Sequence, residues 1–131
     1  MSWLSIYQMM VAAKAGTQFT YAGSNRPDEV AWFGASRRKE GQRTYPVKEK
    51  QPNGWGFYDM SGNVWEWCTD DMRIYQREDV VDPIGDMMGS QKVSKGGSNY
   101  LDARQTRCSY RIRYPNSTRS NFVGFRLAKN L

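Results

Sequence analysis

The sequence predicts an α+β domain of short strands, long loops and one N-terminal helix. Three observations carry that prediction. Apolar residues fall at helical spacing over residues 3–14. Beyond them, short apolar stretches are punctuated by Gly, Pro, Asn and Asp, which mark turns. Hydrophobic residues make up only 39% of the chain but aromatic residues 14%, so a few large rings must fill the core.

The helix is read from "WLSIYQMMVAAK", where Trp3, Ile6, Tyr7, Met10, Val11 and Ala13 share a face. Ser2 is the expected cap and Gly16 the expected stop. "TQFTYAGS" reads as a short strand entering a turn, and "DEVAWFGAS" as a strand or short helical turn around Trp32. Residues 36–53 are polar, with one short strand at "TYPVKE". "NVWEWCTD" is the best core strand, with Val64, Glu66 and Cys68 on one face and Trp65 and Trp67 on the other. Residues 70–92 read as a loop or weak hairpin, and "KVSKGGSNY" as a strand ending in a Gly-Gly kink. "DARQTRCSYRIRY" is open between a strand pair and an irregular loop. "PNSTRSN" is a turn, and "FVGFRLA" closes the chain as a strand.

A length of 131 residues suits one domain, spanning 1–131. No apolar run is long enough to span a bilayer. The N-terminus lacks the basic leading segment of a signal peptide, which makes the cytoplasm the default compartment. The net charge of +6 admits an anionic partner such as nucleic acid, but the basic residues are scattered and a solvated basic surface is favoured. The densest basic group, "SRRKEGQR", sits in an expected loop. Cys68 and Cys108 can pair or remain buried thiols, and two cysteines alone cannot make a four-ligand zinc site. The chain has no histidine, which removes the usual general base and the commonest transition-metal ligand.

"NGWGFYDMSGNVWEW", then "KGGS", then "GFRLA", resembles the sulfatase-modifying-factor family, which includes the formylglycine-generating enzymes. "FTYAGSN" and "DEVAW" upstream agree with it. The resemblance implies a variant of the C-type-lectin-like fold, shortened at its N-terminal part. A self-contained reduced fold and oligomerisation are then both open. Formylglycine-generating enzymes bind copper through two thiols just after the "GGS" strand. Here that region holds Leu101, Asp102 and Thr106, with Cys108 further along. A sister branch holds iron through histidines. The resemblance therefore implies a domain without catalytic residues, and neither copper nor iron is expected. An oxidase with an atypical site built on Cys108 and Ser98 is the rival reading.

The resemblance also implies a structural calcium, held by the Asp59 and Glu66 carboxylates and the Gly62 and Val64 carbonyls. Calcium takes oxygen ligands of both kinds, at about 2.3–2.6 Å. The alternative is that Asp59 caps the turn and Glu66 pairs with an arginine.

Residues 99–122 are rich in Tyr, Arg, Asn and Ser, the types that build adaptable binding surfaces. This arrangement is similar to the variable proteins of diversity-generating retroelements, of phage or bacterial origin. It implies a binding surface for a protein or cell-surface ligand, built from Asn99, Tyr100, Asp102, Arg104, Gln105, Tyr110, Ile112, Arg113, Tyr114, Ser120 and Phe122. Plain loop surface is the competing reading. Arg107, Arg111 and Arg126 are expected instead to pair with carboxylates such as Asp70, Asp71 and Glu66.

Overall fold

The computed structural model describes residues 2–34, 44–71 and 91–129. A two-residue strand β1 (Ser2–Trp3) opens the chain and pairs with the last strand, β6 (Leu127–Ala128), which ties the two ends together. Helix α1 (Ile6–Lys14) follows. Its cap is Ser5, not Ser2. The Ser5 hydroxyl accepts from Gln8 N at 3.1 Å, and Gln8 Oε1 accepts from Ser5 N at 2.9 Å. This reciprocal box satisfies two donors that a helix start leaves open. A third, Ile6 N, donates to Asp70 Oδ2 at 2.7 Å, and a carboxylate there also suits the helix dipole. The helix stops one residue earlier than expected, at Ala15, in the left-handed region (φ 48°).

The remaining framework is a four-stranded sheet in the order β4-β3-β2-β5. It comprises β2 (Trp65–Asp71), β3 (Gln91–Lys95), β4 (Arg111–Pro115) and β5 (Val123–Gly124). The pairs β2–β3 and β3–β4 are antiparallel, and β2–β5 is parallel. Side-chain alternation along β2 holds as expected. Cys68 faces the core with Val93, Ile6, Met9, Ala13 and Cys108. Trp65 and Trp67 face the other way, where Trp67 stacks on Trp3 at 6.2 Å.

Gly96 (φ 96°) and Gly97 (φ 76°) form the kink expected after β3. Across the sheet the Trp65 and Tyr110 rings meet at 6.0 Å. Between the kink and β4 lies a 3-10 turn (Ala103–Thr106), so this stretch is part loop and part strand rather than a strand pair.

Other expectations are corrected or, for "DEVAW", decided in favour of the short helical turn. "TQFTYAGS" makes only an isolated bridge, Tyr21 to Ser24. "DEVAW" contributes a four-residue helix, α2 (Pro27–Val30), started by proline at its first position. "TYPVKE" forms no strand. "FVGFRLA" is broken into β5 and β6, because the chain turns at Phe125 and Arg126. The basic stretch 36–43 and the excursion over 72–90 lie outside the described residues.

Candidate functional site

Two neighbouring features make up the candidate site: a carboxylate-bearing turn at 59–66 and the surface of 99–122. The turn is held from several sides. Asn63 adopts a positive φ of 68°. Its side chain exchanges two hydrogen bonds with Tyr45, both 3.0 Å, and its N donates to Trp32 O at 2.8 Å. Gly62 (φ 82°) is required here, since a Cβ would run into the Trp32 backbone. Trp32 in turn stacks on Tyr45 at 3.8 Å, with Lys50 Nζ 4.2 Å from its ring.

Within this turn Glu66 is buried and bound bidentately by Arg126, with Nε to Oε2 at 2.7 Å and NH2 to Oε1 at 2.8 Å. The pairing expected for Arg126 is therefore present. Burial pushes the Glu66 carboxyl up, and Arg126 pulls it down without cancelling that rise. Burial works against the charge on Arg126, but Glu66 and Asp59 outweigh it and hold its pKa up. Asp59 Oδ2 accepts from Lys48 N at 2.9 Å, while Asp59 Oδ1 is buried without a hydrogen-bond partner. Asp59, Val64, Glu66 and Arg126 line a cavity of about 410 Å³. Lys48 lines the cavity as well, so its two carboxylates face two cationic side chains; the orphaned Asp59 oxygen nonetheless suits a hard cation. Among the described residues no group of three acidic, cysteine or histidine side chains gathers. A calcium ion would therefore rely on the Gly62 and Val64 carbonyls and share Glu66 with Arg126.

The structure divides the residues expected on the binding surface. Asn99 is buried beneath it, with its N and Nδ2 both donating to Asn63 O at 2.8 Å, so its role is to hold the turn. Tyr100 is 41% exposed and stacks on Phe122 at 5.8 Å. Ser120 is half-buried and accepts from Phe122 N. Ile112 and Tyr114 share the sheet face of Trp67, with Tyr114 meeting it edge-on at 6.4 Å. Arg113 pairs with Val93 and so leaves β4 on the opposite face. It is thereby separated from Ile112 and Tyr114, a consequence of strand alternation.

Asp102 caps the 3-10 turn. Its carboxylate accepts from Arg104 N, and Gln105 Oε1 accepts from Asp102 N. The Arg104 guanidinium closes on the same carboxylate at 2.8 Å. Those bonds to Arg104 hold the Asp102 carboxyl below its usual range. Asp102, Arg104, Gln105, Arg107 and Tyr110 together line a cleft of about 230 Å³. Arg107 is absent from the sequence-based set. Among the described residues it has no carboxylate partner. Its Nε donates to Arg104 O at 2.8 Å, and its guanidinium lies 5.8 Å from the Tyr110 ring.

The thiols stand apart from this surface. Cys68 and Cys108 are unpaired and belong to the core cluster. Burial pushes Cys68 up to about 12, and burial raises Cys108 as well. Ser98, offered as the rival pocket residue, is fully buried.

Residues 3–131 match the model of the sulfatase-modifying factor enzyme 1-like domain. The chain belongs to this family. The formylglycine-generating enzyme of Streptomyces coelicolor is 40% identical over 95 residues, covering 66% of this chain and 29% of that enzyme. A serine/threonine-protein kinase, pkn1 of Chlamydia pneumoniae, is 35% identical over 92 residues, covering 67% of this chain and 15% of the kinase. Among solved structures, Treponema denticola variable protein 1 has a TM-score of 0.86 and 32% identity, over 95% of this chain and 45% of that one. PvdO from Pseudomonas aeruginosa has a TM-score of 0.80 and 25% identity, over 95% and 50%. The chain thus spans under a third of these sequence relatives and about half of these structures. The family domain and the C-type-lectin-like α+β fold expected from the motifs are those found. In this family member no described helix is long and apolar enough to cross a membrane.

Proposed function

We propose that this domain binds a ligand without catalysis, through the surface formed by Tyr100, Asp102, Arg104, Gln105, Tyr110, Ile112, Tyr114, Ser120 and Phe122. One observation carries the reading. The only two thiols are buried in the core with raised pKa values, while the tyrosines and arginines of 100–122 stand at the surface. A thiol acts as nucleophile or metal ligand as its thiolate, and burial in apolar surroundings suppresses that form. With no histidine in the chain, the usual alternative base and ligand are missing too. The likeness to a variable protein supports a segment of the kind that retroelements diversify. Tyrosine supplies rigid contact area there, and small polar residues adapt around it. The ligand is a protein or cell-surface molecule.

Tyr100→Ala tests the surface most cleanly, because Tyr110 and Tyr114 also pack on Trp65 and Trp67. It should weaken ligand capture while leaving the melting temperature nearly unchanged. Undiminished capture would displace the site. A reverse transcriptase and a near-copy of the 99–126 coding segment beside the gene would support diversification, and their absence would remove it. The relatives named formylglycine-generating enzyme favour a second reading, a thiol oxidase. Oxygen uptake on a cysteine peptide with added copper, lost in Cys108→Ser, would establish that instead.

We further propose a structural calcium at Asp59 and Glu66 with the Gly62 and Val64 carbonyls. The buried, unpartnered Asp59 Oδ1 supports it.

A further inference from the structure

We infer that the ligand presents an aspartate or glutamate side chain to Arg107, in the cleft beside Tyr110. The inference rests on the ligand-binding reading and names the chemistry of its partner. Between residues 99 and 122 the only acidic side chain is Asp102, against Arg104, Arg107, Arg111, Arg113 and Arg119. Asp102 places both its oxygens on Arg104, so that pair is neutral. Arg107 lies within the field of Asp102 but forms no ion pair of its own among the described residues.

Arg107 is also held ready. Its Nε is fixed on the Arg104 carbonyl, and the Tyr110 ring supports its guanidinium. Its terminal nitrogens have no partner among the described residues. A guanidinium held this way loses little freedom when a planar anion arrives, and its fork matches a carboxylate. Tyr110 is itself backed by the fully buried Trp65, with ring centroids 6.0 Å apart.

Charge decides between anions. One guanidinium without an ion pair, beside the Asp102–Arg104 pair, matches a monoanion. A dianionic phosphate would leave excess negative charge beside Asp102. The cleft of about 230 Å³ is small enough to suit one inserted side chain. The tyrosine and arginines that line it fit a protein surface.

The test uses three immobilised probes: a random Glu–Tyr copolymer, a Lys–Tyr copolymer and oligothymidylate. The wild-type chain should retain the Glu–Tyr copolymer in preference to the other two. Arg107→Gln should weaken that capture at least tenfold. Arg107→Lys, which keeps the charge but loses the fork, should weaken it severalfold and serves alone if Arg107→Gln does not fold. Unchanged capture by the Arg107 variants, alongside a loss in Tyr100→Ala, overturns the inference and leaves the binding surface standing. Capture unaffected by any of these variants removes both. Failure of the wild type to prefer the acidic copolymer, or tighter binding of oligothymidylate, overturns the inference as well.

Discussion

Arg126 reaches back sixty residues to grip Glu66 with both arms of its fork, while NH2 also donates to the Tyr58 and Asp59 carbonyls at 3.0 and 3.1 Å. One side chain from the closing segment thus fixes the start of β2 and the turn before it. Only 8% of the Glu66 side chain and 26% of the Arg126 side chain is exposed, so the pair is largely out of water. Removing one partner strands a buried charge. Arg126→Ala should therefore destabilise the fold by about 3–5 kcal/mol, read as a lowered urea midpoint. Glu66→Gln with Arg126→Met, which removes both charges, should cost clearly less. Equal losses for the two variants would mean that packing, not charge, is what Arg126 supplies.

The same carboxylate is the one a calcium ion would use, which makes the metal proposal directly measurable. Calcium should raise the melting temperature, chelator should reverse the rise, and Asp59→Ala should abolish it. A ligand bound only to the native state at a hundred times its Kd adds about 2.7 kcal/mol. A melt indifferent to calcium and chelator would leave Arg126 as the sole partner of Glu66.

Much of the fold was legible because strand alternation and glycine punctuation are local. The faces of Glu66, Cys68, Trp65 and Trp67 follow from a period of two, and the kink follows from Gly96–Gly97. The helix start was misplaced because Ser2 and Ser5 are both acceptable caps, and only the Gln8 partner three residues on selects Ser5. The closing segment was read as one strand because nothing in "FVGFRLA" announces that Arg126 must turn toward Glu66. At the site, Arg113 and Tyr114 look interchangeable in sequence. They fall on opposite faces only once the pairing of β4 with β3 is fixed. In sequence Arg107 reads as a structural arginine, expected like Arg111 and Arg126 to pair with a carboxylate. Its lack of a carboxylate is a three-dimensional fact, and the single available signal was the excess of arginine over acid across 99–122.

Gly97 connects the sheet to the binding surface. A Cβ there would lie 2.6 Å from Gln105 O and 2.7 Å from Thr106 Cγ2, and φ is 76°. Gly97→Ala therefore combines backbone strain with overpacking, on the order of 3 kcal/mol together. Because the clash falls on the 3-10 turn, capture through Arg104 and Arg107 should fall as well. Gly56→Ala is the matched control: φ is 83°, but nothing lies within 4 Å of the added carbon. It should cost about 1 kcal/mol and leave capture unchanged. Denaturation midpoints and capture, measured for both variants, separate strain from site distortion.

Lys95 gives the fold a pH signature. It is 2% exposed and donates to Tyr110 O at 2.9 Å. Burial lowers its pKa to about 8 from an ordinary 10.5. Below pH 8 both folded and unfolded chains carry the charge, and the burial penalty is fully present. As pH rises through 8, the folded chain releases this proton while the unfolded chain keeps it, so stability rises, at up to about 1.4 kcal/mol per pH unit. Cys68 acts in the opposite sense. Its thiol is held protonated to about pH 12 in the fold but ionises near 9.0 when unfolded, so above pH 9 it lowers stability. Between pH 9 and 10.5 the two slopes nearly cancel, so together they predict a rise from pH 8 to 9, a plateau to about 10.5 and a fall beyond it. Lys95→Met should remove the rise between pH 8 and 9, and Cys68→Ala should extend it toward 10.5. Urea midpoints taken across pH 7–11 for the three proteins check this, and a flat wild-type profile between 8 and 9 would show that Lys95 keeps its proton in the fold.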